Sequence, residues 1–83
     1  MSAQEIFEKV RDILADTADL EPEEILPEKN MMNELDLTSM DIMTAIAEFE
    51  KEFSIKIPEK MLRTFVTVQD VADCIADVLG EAK

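Results

Sequence analysis

Three stretches of the chain repeat apolar residues at helical spacing, and each opens with a hydroxyl residue followed three places later by an acid. These openings are Ser2-Ala-Gln-Glu5, Thr38-Ser-Met-Asp41 and Thr67-Val-Gln-Asp70. In such a start the hydroxyl accepts an otherwise unpaired backbone N–H. The acid reaches back to the cap and favours the positive end of the helix. The spacing predicts a first helix from about Ala3 to Asp16, with Ile6, Phe7, Val10, Ile13 and Leu14 on one face. It predicts a last helix from about Val68 to Leu79 that buries Val71, Ala72, Ile75, Val78 and Leu79, with Gly80 as its stop. Cys74 falls at the edge of that face and reads as a small, partly buried hydrophobe, since the chain has no His to activate it.

The second helix has two apolar sides. At about 100° per residue, Ile42, Ala45, Ile46, Phe49 and Phe53 form one stripe, which should face the core. Met40, Met43 and Ala47 form another, roughly opposite, with Asp41, Glu48 and Glu52 as an acidic edge between the two. In a bundle this small each helix keeps a solvent side, and methionine adapts its shape to different neighbours. The outer stripe therefore reads as a docking face rather than a second core face.

Between the first two helices lies ADLEPEEILPEKNMMNELDL, punctuated by Pro22 and Pro27. A structureless loop of that length is uncommon in a compact domain. Ile25, Leu26, Met31, Met32 and Leu35 are expected to pin it across the bundle, with a short helical turn. In SIKIPEKMLRTF, Pro58 suits the first position of a short third helix. The expected fold is an all-α, small four-helix bundle with a long first loop and a short third helix, and residues 1–83 read as one domain.

Composition narrows the function. Twenty acidic against eight basic side chains give a net charge of −12. Such a surface repels phosphate backbones and anionic lipid, which argues against nucleic acid and membranes as partners and in favour of proteins with basic patches. One cysteine precludes an internal disulfide and fits a reducing compartment; with no long apolar run, the chain reads as cytoplasmic and soluble. Without His there is no Ser-His or Cys-His pair, and one Gly cannot build a phosphate-binding loop. Zinc ligands and calcium-loop spacing are lacking too, so an enzyme is not expected.

Ser39 stands out because it opens the helix that carries the docking face. Serine at a helix start is commonly a cap. A phosphate esterified there would equally meet unpaired N–H groups and the positive end of the helix dipole. Position alone does not choose between the two.

The segment Leu35-Asp36-Leu37-Thr38-Ser39-Met40-Asp41 resembles the modified-serine motif of the acyl carrier protein family. AEFEKEFSIKIPEK and FVTVQDVADCI extend the similarity over most of the chain. The resemblance implies that Ser39 carries 4′-phosphopantetheine, transferred from coenzyme A by a phosphopantetheinyl transferase, and that acyl groups ride on its thiol as thioesters. It implies partner-facing roles for Met40, Asp41, Met43, Ala47 and Glu50, and an acyl cleft at Ile46, Ile57, Leu62 and Phe65. It further implies a monomer serving acyl-transferring or synthase enzymes of fatty-acid, polyketide or related lipid synthesis. Fatty-acid carriers usually have Gly and Asp where this chain has Asp36 and Thr38, and commonly have acids where it has Thr44 and Lys51. These departures imply a specialised carrier. An unmodified interaction module, or an aminoacyl or peptidyl carrier, would share the bundle.

Overall fold

The structure is a computed structural model that describes residues 2–80. Four α-helices follow in order: α1 (Ala3–Ala18), α2 (Ser39–Phe53), α3 (Glu59–Leu62) and α4 (Val68–Leu79), with a 3₁₀ turn at Pro22–Glu24 after α1. This is the all-α bundle that the periodicity predicts. Helix α1 packs against both α2 and α4.

All three expected helix starts are reciprocal capping boxes. Ser2, Thr38 and Thr67 each accept the N–H of Glu5, Asp41 and Asp70 at 3.1–3.2 Å. Each acid in turn accepts the N–H of its cap residue at 2.8–3.1 Å. The acceptor role favours the charged carboxylate, and the backbone N–H groups that they bind hold the carboxyls of Glu5 and Asp70 below their usual range. Asp70 has a second donor, the N–H of Val66, at 3.0 Å.

Each of the three long helices ends in a residue with left-handed backbone, at Asp19, Ser54 and Gly80. The first therefore runs two residues past its expected end at Asp16. Pro58 is not the first residue of α3 but its N-cap, one position before it.

The core is continuous across the elements. Ile6, Val10 and Leu14 of α1 meet Ala45, Ile46, Phe49 and Phe53 of α2 and Val71, Ala72 and Ile75 of α4 in one buried cluster. Phe7, Ile13, Ile42 and Leu79 pack against it from the rim. Val78, expected inside, is 39% exposed, whereas Cys74 one turn earlier is deeper than the expected edge position, at 4%. Met61 and Thr64 line the same surface depression as Cys74, whereas Val78 stands in the last turn of α4, next to its end at Leu79. Burial, and then the nearby Asp77 carboxylate, push the Cys74 thiol above its usual range, so it stays protonated and unreactive.

The long first loop is tied to the start of α4 by backbone hydrogen bonds. Met31 donates to Val66 at 2.9 Å, Val68 to Lys29 at 3.2 Å and Gln69 to Pro27 at 2.9 Å. Asn30 builds the turn between these ties and α2, its side-chain oxygen accepting the N–H groups of Met32 and Asn33 at 3.1 and 2.9 Å. Ile25, Met31 and Leu35 are buried as expected, but Leu26 and Met32 are exposed. Met32 is carried outward by the Asn30 turn, and Leu26 stands beside Ile25 on a stretch that can turn only one of the two inward. Leu35 and Leu37 both enter the core around Asp36, whose φ of +58° is left-handed.

Asp36→Gly should therefore stabilise the chain. Relief of side-chain strain of about 1–2 kcal/mol outweighs the added freedom of the unfolded chain, about 0.4–1 kcal/mol. The expected rise in thermal midpoint is about 2–6 °C for a domain of this size, read by circular dichroism. Asp70→Asn should cost about 1 kcal/mol at neutral pH. Because the folded carboxyl of Asp70 titrates below its unfolded value, its contribution is present above about pH 4 and is lost as pH falls through the lower folded value. The stability difference between the two proteins should thus shrink in acid, as measured by urea unfolding at several pH values.

Candidate functional site

Helix α2 begins at Ser39 because Thr38 takes the cap. The Thr38 hydroxyl accepts the N–H of Asp41 at 3.1 Å, the Asp41 carboxylate accepts the N–H of Thr38 at 3.1 Å, and the Thr38 carbonyl accepts the N–H of Ile42 at 3.0 Å. The cap function is thereby filled by the residue before the serine. Ser39 is exposed, and its hydroxyl makes no hydrogen bond among the described residues. It stands in the first turn, where the N–H groups of Ser39 and Met40 have no intrahelical acceptor and the helix dipole is positive. A nucleophilic oxygen that is free in solvent, beside donors that suit a phosphodiester, fits a covalently attached phosphopantetheine.

The outer stripe of α2 is open. Met40 is 74% and Met43 62% exposed, and Ala47 is exposed with them. The core stripe is inside, Ala45, Ile46, Phe49 and Phe53 fully and Ile42 in part. The two candidate acids have structural ties. Asp41 closes the capping box, and the half-buried Glu50 accepts the N–H of Ile57 at 2.8 Å, fixing the α2–α3 connection. Ile46, Ile57 and Phe65 are buried in the common core, with Leu62 half-buried against it. Leu62 also reaches an open depression of about 580 Å³ that it lines with Met43, Glu59, Lys60 and Arg63. Of the four cleft candidates, only Leu62 lines this depression; the other three lie in the common core.

Two features were not singled out by sequence reasoning. One is the Glu50 tie, which joins residues seven apart across a chain reversal and leaves no periodic trace. The other is the pair Lys60 and Arg63 beside Met43. A signal for it existed, since four of the eight basic residues fall between 51 and 63.

Comparison with known proteins defines the class. Residues 8–81 match the family model described as a phosphopantetheine attachment site. The acyl carrier protein of Thermosynechococcus vestitus is 39% identical over 75 residues, covering 90% of this chain and 93% of that protein. That of a Picosynechococcus species is 35% identical over 77 residues, covering 93% and 95%. That of Lactobacillus acidophilus is 36% identical over 80 residues, covering 96% and 100%. Among solved structures, the acyl carrier protein of Enterococcus faecalis superposes with a TM-score of 0.76 at 26% identity, covering 94% of this chain and 99% of that one.

The chain belongs to the acyl carrier protein family of phosphopantetheine-binding proteins. It is a carrier rather than an enzyme, and 4′-phosphopantetheine is its covalent prosthetic group. Family membership implies dealings with transferase and synthase enzymes. No helix among the described residues is long and apolar enough to cross a membrane.

Proposed function

We propose that Ser39 is the attachment residue, and that the chain works as one carrier domain, presenting acyl intermediates to enzymes of a dedicated lipid or polyketide pathway. The observation that carries this is the exposed, unbonded Ser39 hydroxyl beside a cap already filled by Thr38. When attached, the arm supplies a terminal thiol on which acyl groups are held as thioesters. What the chain contributes is placement. Two unpaired N–H groups and the positive helix end favour the phosphodiester charge. Met40, Met43 and Ala47 offer an adaptable apolar contact next to it, with Asp41 and Glu50 as charges of the same helix. Ile46, Ile57 and Phe65 of the core, with Leu62 packed against them, would shelter an acyl chain if their packing opens.

Asp36, Thr38, Thr44 and Lys51 favour a specialised carrier over a principal fatty-acid one. Exposed charge pairs contribute only about 0.2–1 kcal/mol each, but several missing acids together weaken pairing with a basic patch. We place the carrier in the cytoplasm as a monomer, in keeping with a single cysteine and a net charge of −12.

Incubation with coenzyme A, Mg²⁺ and a broad-specificity phosphopantetheinyl transferase should add one phosphopantetheine to the intact mass. Ser39→Ala should lose the whole increment while keeping the helical circular dichroism of the parent. An unchanged wild-type mass across several transferases, or an increment that survives Ser39→Ala, would overturn the assignment.

A further inference from the structure

The charges around the outer stripe of α2 are segregated by sign. On the α1 side, Thr44 and Glu48 share an open depression of about 400 Å³ with Asp12, Asp16, Ile13 and Thr17. On the α3 side, Met43 and Leu62 share one with Lys60, Arg63 and a single acid, Glu59. Met40, Met43 and Ala47 form the ridge between them, and Lys51 continues that stripe one turn beyond Ala47.

The ion pairs sharpen the division. Lys9, Arg11 and Lys29 are engaged with Glu52, Asp12 and Glu34. Lys51, Lys56, Lys60 and Arg63 have no ion pair among the described residues, and all four are exposed. A cation with a neighbouring anion is largely cancelled at a distance, whereas an unpaired cluster projects its potential to an approaching surface. Of these four cations, Lys60 and Arg63 share the depression with Met43, and Lys51 lies on the ridge itself.

We propose that this is a two-signed docking face: its partners meet the α1 side with basic groups and the α3 side with acidic ones, and Lys60 and Arg63 turn away enzymes whose patch is basic throughout. The proposal rests on the reading of Met40 and Met43 as the docking ridge. Charge complementarity sets the chemistry of the partner. Pressing like charges together costs more than one exposed opposite pair contributes, so the cation pair acts chiefly by exclusion.

The test uses carrier loaded from an acyl-coenzyme A by a broad-specificity transferase, with loading confirmed by intact mass before use. Failure to load would count against Ser39 rather than against the two-signed face. The probe is a fatty-acid ketoacyl synthase whose carrier-docking patch is wholly basic. With Lys60→Glu/Arg63→Glu, kcat/KM at low ionic strength should rise about tenfold over the parent, which corresponds to about 1.4 kcal/mol. The change should lie mainly in KM and fade near 1 M salt, where the screening length is about 3 Å. Lys60→Gln/Arg63→Gln should fall between the two and provides the measurement should the reversed pair unfold. A synthase with one docking Lys or Arg reversed to Glu should favour the parent carrier over the Lys60→Glu/Arg63→Glu form. Equal values for all carriers, or a loss on charge reversal with the unaltered synthase, would overturn the proposal.

Discussion

The site depends on which of two adjacent hydroxyls caps α2. A helix start offers several unpaired N–H groups, and one side-chain oxygen at the cap position satisfies one of them. Thr38 has the extended backbone of a cap and Ser39 already lies in the helix, so the reciprocal bonds with Asp41 go to the threonine. Had the helix begun one residue later, the serine oxygen would be tied to the backbone. The same small element thus fixes where α2 begins, keeps one hydroxyl in solvent and aims the first-turn donors past it. Capping and a free hydroxyl are divided between neighbours.

The rest of the fold keeps that helix start in place. Backbone bonds fasten residues 27–31 of the first loop to the segment that opens α4, and Met31 then accepts the N–H of Leu37 at 2.9 Å, just before the cap. The approach to Ser39 is therefore anchored to the segment that opens α4, although Ser39 itself stands free. At the other end of α2, Glu50 accepts the N–H of Ile57 and fixes the start of the α2–α3 connection. These ties make the surroundings of the serine a property of the whole molecule.

Much of this was legible in the chain. The capping signature located all three long helix starts, because the hydroxyl and its acid are close in sequence and their bonding is local. Helical period separated the buried stripe of α2 from the open methionines for the same reason. The misplacements have causes that apolar spacing does not carry. Val78 lies in the last turn of α4, Met32 follows a turn built by the Asn30 side chain, and Leu26 is exposed beside the buried Ile25. Apolar character told that the loop is pinned but not which side chains do the pinning. At the site, periodicity placed Ser39 at the helix mouth, and the family resemblance implied the role proposed for it. Only coordinates showed that its hydroxyl is unengaged, that Glu50 is bound to the backbone, and that Lys60 and Arg63 stand beside Met43.

The division of labour between Thr38 and Ser39 is tested most directly by amide hydrogen exchange and the ¹⁵N-resolved amide shift of Asp41, whose N–H is held by the cap oxygen. In Ser39→Ala the protection and shift of that amide should match the parent. In Thr38→Ala its protection should fall and its shift should move, because the acceptor is gone. The reverse pattern, with the Asp41 amide released by loss of the serine hydroxyl and indifferent to the threonine, would contradict the account.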